Sequence, residues 1–170
     1  LCTRIYPQEG SAVSVKALFD DVKLENLNST FDNDSEGWTV WDPNPDDVTN
    51  FRWVDTGGNP GGFIAADDVA LSDTFYFRSP QSWGGDWRQY IGGTIEWDIF
   101  LYPNYPFEYY NQIELIIDEV GTGNYLSAEL DIIPDMDQWT HFKIYLTREN
   151  LTVHGDLTFD EIIQNVDTIF

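Results

Sequence analysis

Apolar residues recur at every second position in short runs along nearly the whole chain, each run cut off by a cluster of Gly, Pro, Asn or Asp. In TIEWDIFLY (residues 94–102) Ile95, Trp97 and Ile99 fall on one face, and in 139–147 Phe142, Ile144 and Leu146 alternate with His141, Lys143 and Tyr145. A period of two belongs to half-buried strands, because successive side chains point to opposite faces of a sheet. Residues 12–24, 38–41, 50–54, 63–66, 75–78, 112–118, 125–132 and 166–170 read as further strands, at the spacing of a sandwich. One helix signal stands out, TFDEIIQNV, where Thr158 and Glu161 have the spacing of a capping box. The expected fold is therefore an all-β antiparallel sandwich with one short helix. A chain of 170 residues suits a single domain, and 7 Trp, 9 Tyr and 11 Phe supply its core.

Thirty acidic residues against eight basic ones give a formal charge of −22, a field that repels nucleic acid and gathers cations. Cys2 is the only cysteine, so no internal disulfide forms, and it reads as a small buried hydrophobe. No run reaches the roughly 20 apolar residues of a membrane span. Asn28, Asn33 and Asn150 each begin an Asn-x-Ser/Thr triplet and are candidate glycan acceptors. Neither His141 nor His154 has a Ser or Cys partner motif, and no HExxH, phosphate loop or dinucleotide fingerprint occurs. A non-enzymatic protein is expected.

Within residues 31–101, FDNDSEGW, TGGNPGGFIAADD, TFYFRSP and GGDWRQYIGGTIEWDI follow one another in an order that resembles the laminin IV (laminin B) type domain. The paired glycines at 57–58, 61–62 and 92–93 permit the tight turns such a domain needs. The resemblance implies a jelly-roll sandwich, similar to many carbohydrate-binding modules, and an extracellular or cell-surface setting. It also implies a closing strand of the kind Leu-Asp-Asn-Val-x-Leu after the helix, whereas the matching signature, LFDDVKL, stands at residues 18–24. LCTRIY before it reads as a continuation of VDTIF at the other end. Residues 1–25 are thus expected to act as a displaced final strand, 26–35 as a linker and 36–170 as the sandwich body. Closure within one chain, a tandem array, and donation of residues 1–24 to a neighbouring copy all fit this order. Val13, Val15, Ala17 and Phe19 would be the docking side chains.

Asp32, Asp34 and Glu36 recur at alternate positions, where loop oxygens can converge on a hard cation. By the resemblance, Asp20 or Asp21 would join them around a structural Ca²⁺. Trp83, Trp87, Tyr102 and Tyr105 are candidates for stacking on sugar rings. The leading functional expectation is a subunit or repeat of an extracellular surface fibre, self-assembled by strand complementation between copies, with calcium and glycans as accessories. The alternative is a monomeric carbohydrate-binding or adhesive module of a larger secreted protein.

Overall fold

The computed structural model describes residues 2–4, 15–42, 48–68, 75–102, 112–119, 122–130, 134–135 and 137–170. The strands are β1 (Cys2–Arg4), β2 (Val15–Leu24), β3 (Leu27–Ser29), β4 (Thr39–Trp41), β5 (Val48–Gly58), β6 (Gly61–Asp68) and β7 (Phe75–Arg78). They continue with β8 (Thr94–Leu101), β9 (Gln112–Glu119), β10 (Tyr125–Leu130), β11 (Trp139–Tyr145), β12 (Thr152–His154) and β13 (Val166–Ile169). The helix α1 (Phe159–Gln164) precedes β13. Two antiparallel sheets result. One has the order β12-β10-β9-β1-β7-β4, with β13 also on β9, and the other the order β11-β8-β2-β6-β5, with β3 on β2.

The inner faces of both sheets come from the alternating positions seen in the sequence. Ile95, Trp97, Ile99 and Leu101 of β8 are buried with Phe142 and Ile144 of β11, while Leu115, Ile117, Leu126 and Ala128 line the facing sheet. Phe19 of β2 stacks on Phe77 of β7 at 5.0 Å between ring centres and touches Trp38 at 5.3 Å, so one ring ties the two sheets together. Helix α1 starts with the expected capping box of Thr158 and Glu161, and Phe159, Ile162 and Ile163 bury one side of it. Buried Asn124 orients its approach, its Oδ1 accepting from the N–H groups of Asp156 and Leu157 at 2.7 and 3.1 Å.

Residues 26–35, expected as a linker, are built into the sandwich. Leu27–Ser29 forms β3 in register with Val22–Leu24, Phe31 is fully buried, and Ser29 Oγ accepts from Trp38 Nε1 at 2.8 Å. Polar residues there serve a tight hairpin and a loop, with positive φ at Glu25, Phe31 and Glu36. Strand β12 was also not expected; its short TVH pairs with Tyr125–Ser127 at the sheet edge.

Candidate functional site

Strands β8, β11 and β2 direct charged side chains to the outer face of their sheet. In cross-strand register His141 stands opposite Asp98 and Lys143 opposite Glu96, and opposite charges so placed attract. His141 Nδ1–H reaches Asp98 Oδ1 at 2.8 Å, Lys143 Nζ lies 2.5 Å from Glu96 Oε1, and Lys23 pairs with Asp21. Lys143 holds the Glu96 carboxyl below its ordinary range. His141 is thus on the solvent face, as its position in the strand implies.

Asp20 breaks this pattern, because it stands directly opposite another acid, Asp98. A bulge follows between Asp20 and Lys23, with Asp21 at φ 50°, which turns both Asp20 and Asp21 toward this face. The tip of the β5–β6 hairpin folds over Asp20 and seals it. Asn59 N–H donates to Asp20 Oδ2, Asn59 Nδ2 donates to Asp98 Oδ2 at 3.4 Å, and Trp139 Nε1 donates to Gly57 O at 3.1 Å. Burial pushes Asp20 up to about 7, with Asp21 and Asp98 adding to the rise and the Asn59 and Asp21 N–H groups opposing it. Burial likewise raises Asp98, against the pull of His141. The cluster can exchange a proton near neutrality and fasten a hairpin. Asp20 itself is fully buried beneath Asn59 and offers no surface to a substrate.

Two glycines make this closure possible. A Cβ on Gly58 would collide with Asp20 Oδ2 and the Gly62 carbonyl, and one on Gly61, at φ 93°, would collide with Asp32 Oδ1. Gly58 has no positive φ, so close approach rather than turn geometry selects it. Gly58→Ala should cost about 1–3 kcal/mol of stability, the usual cost of overpacking. A urea midpoint equal to that of the unchanged chain would show that the hairpin tip is not seated on Asp20.

The acids of the 30–37 loop are engaged in shaping it. Glu36 Oε1 accepts from the N–H groups of Thr30 and Phe31 at 3.1 and 2.8 Å, Asp34 Oδ1 from Glu36 N–H at 2.6 Å, and Asp32 Oδ2 from Thr30 Oγ1 at 3.0 Å. Asp20 and Asp32 both abut the β5–β6 hairpin tip, at the paired Gly58 and Gly61, and the described residues contain no group of three or more metal-capable side chains.

Two of the sugar-stacking expectations fail on burial. Trp83 and Trp87 are 3% and 1% exposed; Trp83 packs edge-on against Trp38, and Trp87 Nε1 donates to Trp83 O at 2.7 Å. The loop through Gly84 and Gly85 turns inward, held by reciprocal hydrogen bonds between Gly85 and Val166, so its indoles fill the core. Tyr102 lies beside Phe100 at 5.0 Å in a small outer cluster with Leu18, Phe63 and Ala65, and Tyr105 lies outside the described residues. The exposed indole is Trp41, on the outer face of the other sheet. Its position three residues after Trp38 was the available signal, since that spacing in a strand puts the two rings on opposite faces.

The glycan candidates Asn28, Asn33 and Asn150 are all exposed, and Asn150 Nδ2 donates to Tyr145 O at 3.2 Å.

The N-terminal segment, expected to act as a displaced final strand, enters both sheets of its own chain. Strand β2 lies between β6 and β8, with Val15 opposite Asp68, Ala17 opposite Ala66 and Leu101, and Phe19 fully buried; Val13 lies outside the described residues. Strand β1 shares one edge of β9 with β13. Ile169 faces Ile117, Phe170 exchanges both hydrogen bonds with Ile116 at 2.9 and 3.0 Å, and Cys2, Thr3 and Arg4 face Glu114, Ile113 and Gln112. After a bulge between Val166 and Thr168, the two segments keep one register along β9 from Thr168 to Arg4, with only Leu115 between them. On their far side β1 pairs with β7, and Ile169 O accepts from Ser79 N at 3.0 Å.

No protein-family model, curated protein or solved structure matches this chain.

Proposed function

We propose that this chain is a non-catalytic subunit or repeat of an extracellular surface fibre, in which residues 1–24 of one copy complete the sheets of the next. The observation that carries the reading is the shared seat on β9, where β13 and β1 lie end to end in a single register. A seat filled by two segments makes the same hydrogen bonds along β9 whether β1 comes from its own chain or from a neighbour, and exchange of residues 1–24 opens the two-residue turn between β2 and β3. Donated strands bind through main-chain hydrogen bonds, and a head-to-tail contact that does not close generates a filament. Glycans on Asn28, Asn33 and Asn150 would sit on exposed positions of such a fibre.

Glu114→Cys tests this directly, because Cys2 is the sole native cysteine and its backbone stands opposite position 114. Oxidation of assembled material should give a ladder of covalent multimers on a denaturing, non-reducing gel, and reduction should return it to one band. A single internally bridged monomer would place β1 in its own chain and overturn strand exchange.

A further inference from the structure

On the outer face of the β12-β10-β9-β1-β7-β4 sheet, Trp41, Tyr76 and Phe170 meet as three mutually inclined rings. Their centres are 5.6 to 5.7 Å apart and their planes cross at 54°, 62° and 75°. Together with Tyr125, Ile116 and Asp118 they line an open cavity of about 250 Å³. Each is an outward position of its strand, so register brings the set together from β4, β7, β9, β10 and the residue after β13.

We propose that this cavity is a binding site for a methylated or quaternary ammonium group. Ring faces carry negative potential and attract cations, most strongly when Trp contributes, and four aromatic residues line this one small cavity. Phe170 already carries a cation, with the Arg78 guanidinium 5.7 Å from its ring centre. Around Asp118 the charges are Glu119 and Asp167 against Arg78, three carboxylates to one guanidinium, so the local field favours a positive ligand. Burial raises Asp118, and a bound cation offsets that cost. A hard metal ion is disfavoured, since it needs six or more oxygens and this lining is mostly aromatic and aliphatic. A sugar ring stacks on parallel faces and needs several hydrogen-bonding side chains around it, whereas these planes are steeply inclined. An unmodified lysine would leave its strong hydration behind, while an alkylated ammonium gives up little. Phe170 and Ile116 belong to the β9 seat and Tyr76 stands opposite Cys2 of β1, so the cavity borders the strand whose exchange is proposed above.

Choline and its neutral isostere 3,3-dimethylbutan-1-ol, titrated into the full chain by calorimetry or NMR, provide the test, with cellobiose as the sugar probe. Choline should saturate, and the neutral isostere should bind about tenfold more weakly, the factor that one cation–π contact supplies. Trp41→Ala and Asp118→Asn, both at solvent-accessible positions, should each weaken choline by a similar factor while leaving the circular dichroism unchanged. Equal binding of choline and the isostere, saturation by cellobiose but not choline, or no saturation by any probe would each overturn the proposal.

Discussion

Phe19→Ala should lower the stability of the folded chain by about 3–5 kcal/mol, the range for truncating a fully buried aromatic ring. The ring is 0% exposed, and it touches Phe77, Trp38 and Phe31 with centres 5.0, 5.3 and 6.3 Å away. Strand β2 is central in its sheet, so the cavity left by the substitution would be walled by paired strands that cannot easily collapse into it. Urea denaturation checks the value. A loss under about 1 kcal/mol, ordinary for a surface site, would place the ring outside the core. The same burial changes what Phe19→Asp does. An unpaired charge there would unfold the sandwich rather than only oppose docking, and the effect is the same whichever copy supplies the strand. Oxidative trapping at Cys2 therefore separates assembly from folding, and substitutions in β2 do not.

Period-two alternation was enough to find β8, β11 and the inward faces of both sheets, because in those strands burial alternates with sequence position. It failed at residues 26–35, which include β3, where Asn, Asp and Ser looked like a linker. There the polar groups satisfy the backbone of a tight loop, while Phe31 and Ser29 point inward. Composition suggested that Trp83 and Trp87 were available as a surface reservoir, but a loop that folds inward buries its aromatics as a strand does. The carboxylate cluster was half legible. LFDDVKL singled out Asp20 and Asp21, but Asp98, 78 positions from Asp20 and directly opposite it in the sheet, was not in that set. Only strand register reveals that pair: the glycines at 57–58 and 61–62 mark the hairpin as a turn, but nothing local says that it closes over Asp20. The β9 seat was foreseen more fully, since LCTRIY reads as a continuation of VDTIF and the two segments do share one register.

Stability should fall as the pH rises from about 4 to about 7 and level off above that, with Asp20 as the main cause. Its ordinary 3.8 is pushed up to about 7 in the fold. Between those values the unfolded chain has lost this proton and the folded chain has kept it, so the folded state binds more protons and loses ground with each step up in pH. Asp98, also raised by burial, acts in the same direction. Glu96, lowered by Lys143, acts oppositely, but only as the pH drops through the ordinary carboxylate range. The charges facing Asp20 on this side of the sheet are Asp21, Asp98, Glu96, His141, Lys143 and Lys23, which form their own pairs. Asp20→Asn removes the titrating group, so melting temperatures measured from pH 4 to 8 should lose most of their slope in that variant. It also exchanges one acceptor for a donor beside Asn59 N–H and Asp21 N–H, so its absolute stability is the weaker readout and the slope the stronger one. A divalent ion held by Asp20 and Asp98 would displace the proton and make the fold more stable as the pH rises. Melts that strengthen toward pH 7 in calcium but weaken in chelator would show that the two carboxylates form a metal site after all, while a falling slope in both leaves Asp20 as a protonated latch on the hairpin.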